Sequence, residues 1–438
     1  MADFLQTLIS AITLGSLYAL IALGYTMVYG ILKLINFAHS DVVVLGAWTS
    51  LTISAFALPR LGVDLNAAPW WAGVVVLLLT TGVCALAGLL IERLAYKPIR
   101  GAPRLNALIT AMGVSLLMQN AGQLQYTVVD GATTIASGNV VARGQDPKKV
   151  TLDSPVTIAP GTAYLLQITP AGATVPLERR VTAEPGTYAT GDALTLGDSV
   201  GRSQAKGATF KLVTRSTSLK LPFGKMPAAV PDLMPPLTHA DDASMRNVLL
   251  TIPFSRSITS ADGTVRTIET PVRVRLVHVV IIATAVLLMI GLELLVFHTR
   301  LGTAMRAVSY NTDYAALMGI PINRVISITF VIGAVLAAAA GFLYGQMYGQ
   351  LQQTAHYAWT LLGLKAFVAA VVGGIGNVRG ATVGGFLIAF IELFGGLYGT
   401  YFFQNASAYT DVAVFVLLIV VLIVKPSGLF GSTAREKV

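Results

Sequence analysis

The chain is poor in cysteine and in charge. Among 438 residues Cys84 is the one cysteine, and it stands inside an apolar run. A single thiol excludes an intrachain disulfide and any cysteine-built metal site. Charged residues make up 12% of the sequence, whereas soluble proteins carry about 25%. Chemical motifs are missing too. No G-x-x-x-x-G-K-[ST] occurs, so the chain has no phosphate-cradling loop for ATP. "GGIGNVRG" at 373–380 has the spacing of a dinucleotide fingerprint, but it follows an apolar run and lacks a βαβ unit. Within the apolar runs there is no H-E-x-x-H, no G-x-S-x-G and no carboxylate pair at helical spacing. His39, His239, His278, His298 and His356 are scattered. Neither intrinsic catalysis nor a bound metal or cofactor is expected.

What is present is hydrocarbon. Hydrophobic residues reach 54% and the mean hydropathy is +0.70. "VAVFVLLIVVLIV" at 412–424 has no aqueous reading unless fully buried. A run of about 20 apolar residues matches the bilayer core. Nine spans are read, near 6–29, 40–57, 71–92, 104–120, 276–297, 322–345, 360–375, 382–398 and 409–425. The first lacks a Lys/Arg-rich start and is too long for a cleaved signal, so it is expected to be a retained span.

The formal charge of +9 flanks these segments and forms no aromatic-interleaved stripe, so it reports topology and argues against nucleic acid. Lys97, Arg100 and Arg104, then Arg300, Arg306 and Arg324, then Lys425, Arg435 and Lys437 fall on one side of an alternating arrangement. The positive-inside rule makes that side cytoplasmic, which puts the N-terminus outside and the C-terminus inside.

Between 121 and 275 the composition changes to mixed charge with Gly, Thr and Val alternation, as in "KKVTLDS" and "ATFKLVTR". Asp130-Gly131 and Asp262-Gly263 lie near β-branched residues, a hairpin signal because Gly accepts the positive φ of such turns. Pro222, Pro227, Pro231, Pro235 and Pro236 mark an extended return. The expected fold is therefore an all-α polytopic membrane protein, N-out and C-in, with a β-rich extracytoplasmic insert; disorder is the rival reading of the insert. The divisions are a membrane half at 1–120, the insert at 121–275, a second membrane half at 276–431 and a cytoplasmic tail at 432–438.

Glu293, Lys365 and Glu392 lie inside apolar spans. A charge in hydrocarbon costs a few kcal/mol or more, so such groups pair, face a polar interior or snorkel. Gly373, Gly374, Gly376 and Gly380 provide either close packing or a hinge. The segment 300–324, "RLGTAMRAVSYNTDYAALMGIPINR", is amphipathic, with Met305, Val308, Ala315, Ala316 and Met318 able to share a face until Gly319 and Pro321 interrupt it. It reads as a projecting knob or as an interfacial helix.

That segment and its continuation "VISITFVIGAVLAAAAG" resemble the coupling region of the LivH-type permeases, the membrane subunits of branched-chain amino-acid ABC importers. "LGSLYALIALGYTMVYGILKLINFAHSDVVVLGAW", "APRLNALITAMGVSLLMQN", "LLGLKAFVAAVVGGIGNVRGATVGGFLIAFIE" and "KPSGLFG" are similar to the same family and in its order. The resemblance implies a bacterial inner-membrane importer subunit without cofactor. It also implies as partners a LivM-like second permease, two cytoplasmic ATPases and an external substrate-binding protein, all within a lipid membrane. Ala315, Ala316 and Gly319 match the coupling pattern and would sit against an ATPase. The substrate implied is a branched-chain or similar small amino acid; urea and short amides are alternatives within the family. An ion-coupled carrier, with Glu293, Lys365 and Glu392 as coupling charges, is the rival function. Two departures stand out: Ser40 replaces a usual glycine, and 121–275 is longer than the family's link. Asn36 and His39, in "LINFAHSD", either satisfy broken backbone at a corner or line an inner gate whose local charge Asp41 and Lys33 would set, with Lys365 and Glu392 as further candidates for the substrate pathway.

Overall fold

A computed structural model describes residues 1–63, 68–122, 127–129, 134–143, 146, 148–158, 164–171, 177–197, 199–200, 208–214, 218–220, 228–229, 231–234, 247–259, 265–351, 358–402 and 409–431. Asp130-Gly131, Asp262-Gly263, Pro222, Pro227, Pro235, Pro236, His239, His356 and the tail 432–438 lie outside the described residues. The chain divides into two compact units. One joins Met1–Leu124 to Pro222–Val438, and the other is Gln125–Leu221.

The first unit is helical. Its elements are α1 (Ala2–Leu32), α2 (His39–Thr52), α3 (Trp70–Ile91), α4 (Arg104–Gly122), α5 (Leu276–His298), α6 (Arg300–Tyr310), α7 (Thr312–Leu317), α8 (Ile322–Tyr348), α9 (Ala358–Gly373), α10 (Val378–Gly399) and α11 (Thr410–Val424). Among the described residues, five helices are long and apolar enough to cross a membrane: Ala2–Leu32, Trp70–Ile99, Leu276–His298, Ile322–Tyr348 and Val378–Gly399. Leu361–Gly373 and Thr410–Val424 are apolar but shorter. The run from α2 continues through a π-helical stretch, Ile53–Ala57, and a last turn, Leu58–Arg60.

Burial sorts the helices into layers. The most apolar windows of α1 and α8 are 72% buried, against 22% for those of α3 and α5. The first pair is therefore the centre of the bundle, and the second turns apolar side chains outward, as lipid-facing helices do. Small residues set the central spacing, because they let helix backbones approach. A methyl at Gly385 would strike the backbone of Ala19 on α1, and one at Gly341 would strike Val43 and Ala47 on α2. Ordinary side chains at these positions would push the helices apart.

Two corners are defined by backbone chemistry. Lys33 ends α1 in the left-handed region at φ 53°, with its N–H on Tyr29 O at 2.8 Å. At the α9–α10 link, Leu429 N–H donates to Val372 O at 2.8 Å and Phe430 N–H to Gly373 O at 3.0 Å. Asn377 caps α10 through Arg379 N–H and Gly380 N–H, and its own Nδ2 donates to Phe430 O at 2.8 Å. A side chain on Gly374 (φ 111°) would meet the backbone of Gly431, and one on Gly428 would meet the backbone of Gly374. These glycines are thus packed against the "KPSGLFG" loop.

The second unit is β-rich. Its strands are β1 (Thr127–Val129), β2 (Thr134–Arg143), β3 (Lys149–Leu152), β4 (Val156–Ile158), β5 (Tyr164–Thr169), β6 (Leu177–Arg180), β7 (Gly186–Tyr188), β8 (Ala193–Thr195), β9 (Thr209–Thr214) and β10 (Ser218–Lys220). Six form an antiparallel sheet in the order β6-β5-β9-β2-β3-β8, while β1 pairs with β10 and β4 with β7. Alternate residues of β5 turn inward, the period-2 pattern of a sheet with one covered face. Val150, Leu166, Ile168, Leu194, Phe210 and Leu212 make its core.

Candidate functional site

Two polar clusters are built into the helical unit. In the first, Lys365 projects from α9 in a buried position. Its Nζ donates to Glu392 Oε1 of α10 at 2.8 Å and meets Asp411 Oδ1 of α11 at 2.6 Å. Tyr18 of α1 donates its hydroxyl to Glu392 Oε2 at 2.7 Å. Side-chain exposure falls from 34% at Asp411 to 20% at Glu392 and 8% at Lys365, so the cluster runs from the edge of the unit inward. Its formal charge is one positive against two negative. Lys365 and Glu392, singled out from the sequence, come together; Asp411 and Tyr18 were missed. Asp411 opens an apolar run, where an acid is read as a favourable first-turn residue. Tyr18 lies 374 positions from its partner, and nothing local connects them.

The second cluster surrounds the α1–α2 corner. Asn36 is buried, and its Oδ1 accepts from Tyr96 Oη at 2.8 Å. His39 is also buried, edge-on to Tyr25 with ring centroids 4.7 Å apart. Its Nε2 has no hydrogen-bond partner and faces Gly24, where a methyl would collide with the imidazole. His39 N–H donates to Asn36 O at 3.2 Å, which closes the corner. Asp41 accepts from Gln119 Nε2 at 3.1 Å, whereas Lys33 reaches Ser309 Oγ at 3.5 Å. The two charges thus have hydrogen-bond partners on different helices, Ser309 on α6 and Gln119 on α4. The corner packs on the helix that carries Lys365: the Phe367 ring of α9 lies 5.8 Å from that of Tyr25 and 6.2 Å from that of Phe37.

A third polar group stands on the stretch that carries Tyr96, at the end of the span expected over 71–92. Glu92 begins a π-helical stretch, Glu92–Tyr96, and its side chain is fully buried. Arg100 pairs with it, and Ser327 Oγ donates to Glu92 Oε2 at 2.7 Å. Arg100 also donates to Asn323 Oδ1 at 2.5 Å. Burial pulls the Arg100 pKa down while the adjacent Glu92 carboxylate pushes it up, and the net direction is down. Glu293 is not part of either cluster; Arg379 reaches it through Nε at 2.9 Å and a terminal nitrogen at 2.5 Å.

The amphipathic segment is two helices and not one. Asn311 breaks it at φ −157° and caps α7 through Asp313 N–H and Tyr314 N–H. The break resets the helical phase, so the expected common face fails: Met305, Val308 and Ala315 are buried, but Ala316 and Met318 are exposed. Gly319 ends α7 at φ 78°, with its N–H on Ala316 O and that of Ile320 on Ala315 O. Tyr310, Tyr314, Leu317 and Met318 stand 91%, 66%, 81% and 83% exposed, an apolar tip directed away from the unit's core.

A bundle with five helices long and apolar enough to cross a membrane defines a polytopic membrane protein. The family model for the permease component of branched-chain amino acid transport systems matches residues 7–146 and 244–423. The chain is 30% identical over 438 residues to the high-affinity branched-chain amino acid transport system permease protein LivH of Escherichia coli (strain K12), covering 99% of this chain and 98% of that protein. It is equally 30% identical, over 436 residues, to the permease protein BraD of Pseudomonas aeruginosa, at 99% and 98% coverage. A probable LivH of Methanocaldococcus jannaschii is 30% identical over 151 residues, 33% of this chain. No solved structure matches. The chain belongs to the branched-chain amino acid transport permease family. These homologues are transport subunits, not enzymes. The family model leaves 147–243 unmatched, a stretch that overlaps the β-rich unit.

Proposed function

We propose that the chain is the membrane-spanning permease subunit of an ABC importer that carries branched-chain or similar small amino acids into the cytoplasm, with ATP hydrolysis supplied by separate subunits. The observation that carries this reading is the family match across both helical halves. In this reading nine spans run N-out and C-in through the inner membrane, with the β-rich unit outside. A LivM-like second permease, two ATPases and an external binding protein complete the transporter.

The knob formed by α6 and α7 supports a role in coupling. Its exposed apolar tip, with Ala316 and Gly319 beside it, is the kind of surface an ATPase subunit would cover, while Ala315 anchors the knob from within. ATP-driven closure would move such a knob against α8, and alternating access follows only if the two states differ in their contacts. The Lys365–Glu392 pair then lies beside the external half of the pathway, and Asn36 and His39 hold the inner corner that acts as gate. Reconstitution of the five-subunit assembly tests the proposal. ATP turnover should rise severalfold when the binding protein carries its amino acid. Turnover that ignores every loaded binding protein, or uptake by this chain alone on an ion gradient, would overturn it.

A further inference from the structure

The strand Val272–Arg275 runs into the first turn of α5, and beside it lies a cavity of about 450 Å³ lined by Gln6, Pro271, Arg273, Arg275 and His278. Among the described residues that line it are two guanidinium groups and no carboxylate. Arg273 Nε is buried without a hydrogen-bond partner, although the residue's backbone N–H is satisfied by Gln6 Oε1 at 3.0 Å. His278 Nδ1 accepts Arg275 N–H at 3.4 Å. An imidazole that accepts at one nitrogen carries its proton on the other, so Nε2–H remains as a donor. The opening turn of α5 adds the positive end of a helix. Every described residue that lines this cavity can donate hydrogen bonds or hold positive charge, apart from one proline and the amide of Gln6.

The helix below it specifies the occupant. Arg275, Val279, Ala283, Leu287, Ile290 and Leu294 are all exposed and recur every three or four residues, so they form one stripe with Arg275 at its head. The stripe below Arg275 is wholly apolar, and Leu287 is 69% exposed. Hydrocarbon chains cover such a stripe, and a headgroup phosphate lies at the level of the arginine that heads it. We infer that this cavity binds the phosphate of an anionic phospholipid whose acyl chains lie along α5. Arginine suits the anion because its planar fork pairs with two phosphate oxygens at once. With two guanidinium groups and no carboxylate among the described lining residues to pair with a choline or ethanolamine ammonium, the site favours a net-negative headgroup.

The site rests on α5 lying in a membrane and not on the transported substrate, so its test does not involve transport. The full-length chain is reconstituted in bilayers that contain phosphatidylglycerol or phosphatidylcholine carrying a photoreactive headgroup, and labelled peptides are mapped. The phosphatidylglycerol probe should label the segment 271–280 at least severalfold more than the phosphatidylcholine probe. Arg273→Gln with Arg275→Gln should bring the two probes to parity, while Arg306→Gln leaves the ratio at this segment unchanged. Should the double variant not fold, the single Arg275→Gln variant, at an exposed position, must still lower the ratio. Equal labelling by both probes in the unmodified chain overturns the proposal, as does a ratio that survives the substitutions. Loss of the label in excess inorganic phosphate would assign the cavity to a free anion instead of a lipid. Labelling only by an added acidic protein surface would assign it to a docking partner.

Discussion

Asp411 Oδ1 lies 2.6 Å from Lys365 Nζ, which also pairs with Glu392 Oε1 of α10 at 2.8 Å. One lysine thus ties α9 to α10 and α11, and Tyr18 extends the tie to α1. Removing one partner of a buried ion pair costs about 3–5 kcal/mol because the other is left uncompensated. Lys365→Met strands two carboxylates at once. It should lower the melting temperature of the purified chain and reduce transport. Adding Glu392→Gln to Lys365→Met removes one stranded charge and should recover part of the loss, a non-additivity that a double-mutant cycle reads directly. Strictly additive effects would show that the pair is not coupled.

Glu92 and Arg100 offer an asymmetric test. Glu92 is fully buried, whereas Arg100 keeps a 20% exposed side chain that also contacts Asn323. Arg100→Gln leaves a buried carboxylate with Ser327 as its recorded donor, and should destabilise by about 3–5 kcal/mol. Glu92→Gln leaves a cation that can turn toward water, and should cost less. Thermal unfolding in detergent separates the two variants; equal losses would count against the pairing as the source of stability.

The apolar helices were legible because hydrophobic runs of membrane length have one physical solution, and alternation similarly marked the β-rich segment. Lys365 and Glu392 were legible as charges in hydrocarbon, but the sequence left pairing and snorkelling open, since the decision depends on helices that meet only in the fold. Asp411 and Glu92 escaped notice because each stands at the end of an apolar run, where a charge ordinarily meets water. The common face from Met305 to Met318 failed for a local reason: a side-chain cap at Asn311 interrupts the helix, and a periodic pattern cannot be extended across such a break.

The β-rich unit carries a pH-dependent contact. Asn139 N–H donates to Asp153 Oδ1 at 2.8 Å, and Asn139 Nδ2 to Oδ2 at 3.0 Å. The backbone donor is the main cause that holds the Asp153 carboxyl below its ordinary value. An unfolded aspartate titrates near pH ~3.9. With the folded value lower, the stabilisation is complete above the unfolded value and disappears as pH falls through the folded one. Hydrogen-exchange protection in β2 and β3 of the full-length chain should therefore decline on acidification below about pH 4. Asp153→Asn should flatten that decline. The same acid profile in both proteins would rule out this carboxylate as its source.

The corner at His39 can be tested by exchanging space between two residues. A methyl at Gly24 would occupy the position of the imidazole, and His39 has no exposed volume into which to retreat. Overpacking of this kind typically costs about 1–3 kcal/mol, so Gly24→Ala should lower the yield of folded chain. His39→Ala removes the ring and leaves a void, with a loss of its own. Combined, the two substitutions place a methyl where the ring was. The double variant should then be more stable than either single change leads one to expect by addition. Such a rescued chain also separates the two roles of His39. If the corner is only structural, restored packing should restore transport by the assembled permease. If the imidazole belongs to the gate, the double variant should assemble with its partners and remain inactive. Failure of the double variant to recover stability would show that His39 and Gly24 are not in the contact described.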